Sequence, residues 1–305
     1  MTNNFFEINN LLYKQIKENK PFSLLRIDNT TGYIIDSLFK NAPIDSRFFN
    51  PLTLIEAGVV PNDVKYAIEV VYAKTIQAMC DCDILGFVDV SEEIKNRGSF
   101  WLEKLGKKPI FFTGHSYHVL DPCCLLKGEI FGKPEILWTE ALKDKKVLII
   151  SPHHETIIQQ WEKIDLIWGE DRKKIVPFNL AGVIRAPHHP ALDDRQYPNC
   201  NTWEDTVEYT KNEILKYDYD VLLTAVSHQS PFYANFAKEN GKIGIQTGGI
   251  LQLFFGIKGG RWTQQEIYKP WRDMMNEHWI YPLPADRPQR LHHFSFLETN
   301  SAYWS

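Results

Sequence analysis

At 305 residues the chain is long enough for one large α/β domain or two smaller ones with a sizeable core. A formal net charge of −4 excludes a general electrostatic pull toward nucleic acid or acidic lipid, while leaving room for a local basic pocket. No apolar run approaches the roughly 18 residues of a membrane span, the polar opening Met1-Thr2-Asn3-Asn4 lacks a signal-peptide pattern, and the five cysteines contain no CxxC pair. A cytoplasmic protein with reduced thiols, no membrane span and no nucleic-acid partner is expected.

In chain order, Phe22–Ile27 reads as a strand, followed by a helix through Tyr33–Phe39. Val64–Met79 carries apolar residues at helical spacing and leads into a strand at Ile84–Val88; Pro109–Phe112 is a further strand candidate. Lys146–Ile150 is a buried strand, with a helix from Glu155 to about Trp168 behind it. Ile175–Phe178 reads as a short strand, Trp203–Leu215 as a helix and Val221–Val226 as a strand. Pro231–Glu239 is helical and Lys242–Gln246 a strand. This alternation predicts βαβ units, hence an α/β fold with a Rossmann-like, mainly parallel sheet and flanking helices. Residues 1–262 are expected to form a single domain, and residues 263–305 a C-terminal extension packed on it. In such sheets a ligand sits at the carboxyl ends of the strands.

Several strand ends carry suitable chemistry. The β-branched run of Ile243 and Ile245 stops at Gly248-Gly249, and an apolar helical pattern begins at once. Glycines at a strand-to-helix turn let a ligand approach backbone N–H groups, and a helix N-terminus favours an anion. Lys258 and Arg261 supply cations, Arg261 with a planar fork suited to phosphate oxygens. The stretch reads either as a phosphate cradle with a clamp or as an ordinary turn before a buried helix. Ser151-Pro152, Ser227 and Thr247 close three strands with small hydroxyls or backbone donors, as a nucleotide or sugar pocket needs. Each hydroxyl alone also serves as a plain helix cap. Arg26 and Asp28 lie on the same side of the first strand. Asp28 suits a general base, a metal ligand or a reader of sugar hydroxyls, and an Arg–Asp pair can also merely shape the turn. Trp262, beside Arg261, is the tryptophan best placed to stack on a sugar, whereas Trp203, Trp271, Trp279 and Trp304 read as core anchors. The histidine pairs His115/His118, His153-His154, His188-His189 and His292-His293 match no zinc-ligand spacing.

The block Arg26-Ile27-Asp28-Asn29-Thr30-Thr31-Gly32-Tyr33 resembles the Arg-Ile-Glu-Asn-Thr-Ala-Gly-Tyr type of motif in bacterial glycosyltransferases of the GT-D fold type. Four further blocks agree with that family. They are Lys146–Pro152 with Ile157 and Gln160, then Asp220–Leu223, then the signature Gly248–Trp262, and the ending with Trp279, Pro282, Glu298 and Ala302-Tyr303-Trp304. The resemblance implies transfer of a hexose or pentose from a nucleotide-sugar donor to a glycan hydroxyl acceptor, as in polysaccharide biosynthesis. The donor would be held by Arg26, Asn29, Thr30, Ser151, Pro152, Ser227, Thr247, Gly248, Gly249, Gln252, Lys258, Arg261 and Trp262. Asp28 or Glu155 would take the acceptor proton if the reaction inverts the anomeric centre. Members of the fold type hold a divalent metal on the donor diphosphate with an Asp-x-Glu pair just after the first strand. Here Asn29 and Thr31 stand at those places, poor substitutes for two anionic oxygens. No metal ligand is therefore assigned. Mn²⁺ or Mg²⁺ on the diphosphate stays open, with Lys258 and Arg261 as cations able to replace it.

Two alternatives remain. Phe111–His118 looks like a strand entering a nucleophile elbow around Ser116, which would make the protein a serine hydrolase. That elbow needs glycines on both sides of the serine, and His118 stands where the second belongs. A non-catalytic nucleotide-binding protein would use the same cradle without chemistry.

Overall fold

The computed structural model describes residues 5–44, 63–87, 100, 103–106, 110–113, 120–127, 134–185, 200–287 and 303–304. Seven strands, β1 (Phe22–Ile27), β2 (Ile84–Phe87), β3 (Ile110–Thr113), β4 (Lys146–Ser151), β5 (Asn179–Arg185), β6 (Val221–Thr224) and β7 (Ile243–Gln246), form one sheet. Their order is β3-β2-β1-β7-β6-β4-β5, and every neighbouring pair is parallel. The fold is α/β and Rossmann-like. All residues of β1, β6 and β7 are buried, as strands covered by helices on both faces must be.

The alternation of side chains along each strand divides the core in two. Leu24, Ile149 and Ile245 pack on one face with Ile157, Leu251 and Phe254. Leu25, Ile27, Leu148 and Leu222 pack on the other with Ile34, Val71, Val207 and Tyr233. Adjacent strands β1 and β7 therefore send their chains to opposite faces, β1 into the helix Asn29–Phe39 and β7 into Leu251–Phe254. At such a reversal α/β sheets characteristically place their ligand crevice, outside the carboxyl ends of the two strands.

Several elements differ from the sequence reading. The strand expected at Ile175–Phe178 is instead the end of a helix, Arg172–Ile175, and the strand follows at Asn179–Arg185. As the sheet's edge, β5 is only partly buried over its first half, so it lacks the continuous apolar run of its neighbours. The helix expected from Glu155 to Trp168 is two, His154–Trp161 and Ile164–Trp168. The Val64–Asp81 helix contains a π-helical stretch, Ala67–Tyr72, before continuing as Ala73–Asp81. An unexpected first helix, Phe5–Lys17, buries Ile8, Leu12 and Ile16 at a spacing of four beside Trp138.

Beyond residue 262, the described stretch 263–287 adds to the first core face. Trp271 and Trp279 are buried, Trp279 edge-on to Trp168 at 5.3 Å. Ile280 bridges Ile257 in parallel. The Trp271 indole donates to the buried Asp121, which also accepts from Cys123 N at 2.8 Å. Among the described residues no helix is long and apolar enough to cross a membrane.

Candidate functional site

The site is assembled where β1, β7 and β6 end side by side. Asp28 leaves β1 in extended conformation and caps the next helix, its Oδ1 accepting from Thr31 N at 2.9 Å. Its Oδ2 accepts from the Thr31 hydroxyl at 2.8 Å, and that hydroxyl lies 3.3 Å from His228 Nε2. His228 sits in the 3-10 turn Ser227–Gln229 directly after β6. The π-helical stretch ends at Tyr72, whose ring meets His228 edge-on at 5.5 Å. Burial holds the His228 imidazole below its ordinary pKa, partly opposed by the Asp28 charge. Burial, then that same charge, pushes the Tyr72 hydroxyl well up.

Beside this network lies the glycine turn of β7. Arg26 is buried, its backbone N–H bonded to Gln246 Oε1 at 2.9 Å and its Nη1 directed at Thr247 O at 3.4 Å. Gly248 has φ +66, and a Cβ there would fall 1.7 Å from Arg26 Nη1. Only glycine satisfies both the left-handed backbone and the guanidinium beneath it. A Cβ on Gly249 would lie 2.7 Å from the Tyr303 ring, and Arg261 stacks on the same ring at 4.9 Å. Among the described residues, no acceptor takes the N–H groups of Gly248 or Gly249, the first two of the 3-10 turn Gly248–Ile250, and no partner engages the Lys258 ammonium.

Other expected contributors serve the fold. The Thr247 hydroxyl donates to Thr224 O at 3.2 Å, inside the sheet. Gln252 is a brace: its amide donates to Lys258 O at 2.5 Å and Tyr303 O at 3.3 Å and accepts from Trp262 Nε1 at 3.4 Å. Trp262 is fully buried and edge-on to Tyr268 at 4.9 Å, so its face is not offered to a sugar. Ser151 Oγ accepts from His153 N at 3.1 Å, a turn-capping role.

The anion-binding potential of the Ser151-Pro152 turn is already used. The first free N–H groups of the following helix, Glu155 and Thr156, donate to Asp286 at 2.9 and 2.7 Å. Arg185 joins that carboxylate at 3.2 Å and Glu155 at 3.1 Å. Burial raises the Glu155 pKa, but His154 and Arg185 outweigh it and hold the carboxyl below its usual range. Glu155 is thus a tied ion-pair member rather than a base. It also stands on the helix that follows β4, and β4 lies three strands from β1, a separation of about 14 Å at ordinary strand spacing. Asn29 and Thr30 open the helix behind Asp28, and Ser227 opens the turn carrying His228. Ser116 and the pairs His115/His118, His188-His189 and His292-His293 lie outside the described residues.

The described residues do not fit a carboxylate-held divalent ion. Asp28 is a single anion with each oxygen already accepting from Thr31, and no group of three or more His, Cys, Asp or Glu is gathered among them. Tyr72 and Asp286 were not singled out from sequence; Thr31 was noted only as standing at one of the family's metal-ligand places, and His228 carried one signal, its place in a strand-end turn.

His153 supplies a pH test of this edge. Its ring packs on Trp304 at 4.6 Å and its Nε2 has no partner among the described residues. Burial drives its pKa down from 6.5 to about 4, opposed by Asp286 and the Tyr303 carbonyl. The unfolded chain therefore binds the extra proton first, so this contribution is complete above pH 6.5 and is lost as pH falls toward 4. The loss should reach about 3 kcal/mol, and His153→Phe should flatten the pH slope in urea unfolding. Identical slopes in both proteins would put the His153 ring in water.

No family model, curated protein or solved structure matches the chain.

Proposed function

We propose that the protein is a glycosyltransferase moving a sugar from a nucleotide-sugar donor to a glycan hydroxyl. The observation that supports this reading most is a single juxtaposition. At the β1/β7 crevice the clamped carboxylate of Asp28 stands beside a glycine turn with uncommitted N–H groups over the buried Arg26 guanidinium. Backbone donors and cations stabilise a diphosphate leaving group as its charge develops. The turn Gly248–Ile250, with Arg26, Arg261 and Lys258, supplies that chemistry. In an inverting transfer, the acceptor oxygen bonds to the anomeric carbon as the bond from that carbon to the diphosphate oxygen breaks. The bonding pair leaves with the nucleoside diphosphate, and the acceptor proton passes to Asp28.

A thermal-shift screen of nucleotide sugars tests the reading, because a ligand selective for the native state raises the melting point. At least one donor should stabilise the protein in excess EDTA, since cations and backbone donors take the ion's place. Arg261→Ala should weaken that donor by ~1.5–3 kcal/mol in calorimetric titration. Stabilisation by no nucleotide sugar, or only with added Mn²⁺, contradicts it.

A further inference from the structure

The chain of groups behind Asp28 is longer than a helix cap requires. A cap needs one carboxylate oxygen and one backbone N–H, which Asp28 Oδ1 and Thr31 N already provide at 2.9 Å. Here the second oxygen continues through the buried Thr31 hydroxyl to the buried His228, 197 positions away on the β6 side of the crevice. Tyr72, delivered by the π-helical stretch, walls the imidazole from a third element. π-Helical interruptions recur at functional sites because they re-aim single side chains.

Hydrogen-bond inventory sets the direction of this chain. An ionised carboxylate only accepts, so the Thr31 hydroxyl must give its one proton to Asp28 Oδ2. Its oxygen can then only accept from His228, which requires a proton on Nε2. The geometry points to Thr31 and His228 as positioning residues for Asp28, a His228–Thr31–Asp28 triad that holds the carboxylate oriented at the mouth of β1 to receive a proton. The catalytic purpose rests on the glycosyltransferase reading; the triad itself does not.

The triad makes a prediction that depends on no activity. In Asp28→Asn, the amide oxygen must take the place facing Thr31 N–H, which turns the amide NH₂ toward the Thr31 hydroxyl. That hydroxyl can then donate only to His228 Nε2, so the imidazole proton must move to Nδ1. Nitrogen NMR of the full chain with labelled histidine reads this directly, with His228→Asn identifying the signal. The expected result is the Nε2–H tautomer in the natural protein, the Nδ1–H tautomer in Asp28→Asn, and no Asp28-dependent change when Thr31→Val removes the link. An Nδ1–H tautomer in the natural protein, or one indifferent to Asp28→Asn, overturns the triad. Kinetics then separate the two levels. With a donor in hand, Thr31→Val should lower kcat about 10-fold or more with little change in donor KM. An unchanged kcat would strip the triad of its catalytic purpose. If no transfer is found but the tautomer switches, the triad stands and the glycosyltransferase reading fails.

Discussion

Asp28→Asn should lower turnover by roughly 10²–10⁴-fold while donor affinity changes far less. The asparagine amide keeps the shape and the cap to Thr31 N but cannot take a proton. Asp28 is exposed at the end of β1 while both of its oxygens are fixed by Thr31, so the carboxylate presents one orientation to the crevice. A base that acts only in the transition state affects kcat more than ground-state binding. Steady-state kinetics beside calorimetry decide the matter. Equal losses in binding and turnover would make Asp28 a donor-binding group, and an unaffected rate would reduce it to a helix cap.

Gly248→Ala should be the most damaging small substitution at the site. The backbone there has φ +66, where an L side chain costs about 1–2 kcal/mol. The added methyl would also overlap Arg26 Nη1 at 1.7 Å, forcing a buried guanidinium off Thr247 O. Together these should remove ~2–4 kcal/mol of stability. Donor binding should disappear with them, because the turn and the cation beneath it move together. Urea unfolding and titration check both parts. A variant within about 0.5 kcal/mol of the natural protein would show that the turn is soft.

How much of this was legible depended on where each residue's partners lie. The strands β1, β4, β6 and β7 are central and buried, so apolar runs such as Val221–Thr224 announce them. β5 hides because an edge strand need not be apolar throughout, and Asn179 and Gly182 read as breakers. At the site, the places of Asp28 and Gly248 followed from strand ends alone. Their neighbours did not, because the contacts that decide them are long-range. Asp286 caps the start of a helix from 131 positions beyond Glu155, and no local pattern encodes that. Trp262 looked available beside Arg261, yet the Gln252 amide draws its indole inward. The His228 role required knowing that β6 lies one strand beyond β7 from β1.

The most direct measurement is product formation. The full chain is incubated in excess EDTA with a panel of nucleotide sugars and glycan acceptors, and nucleoside diphosphate release is followed together with glycan mass. The expected result is release matched by the addition of one sugar per event, lost in Asp28→Asn and retained in Ser116→Ala. Donor binding without release would instead describe a nucleotide-binding protein, and stoichiometric labelling of Ser116 by a fluorophosphonate would describe a serine hydrolase; either result contradicts sugar transfer at the β1/β7 crevice.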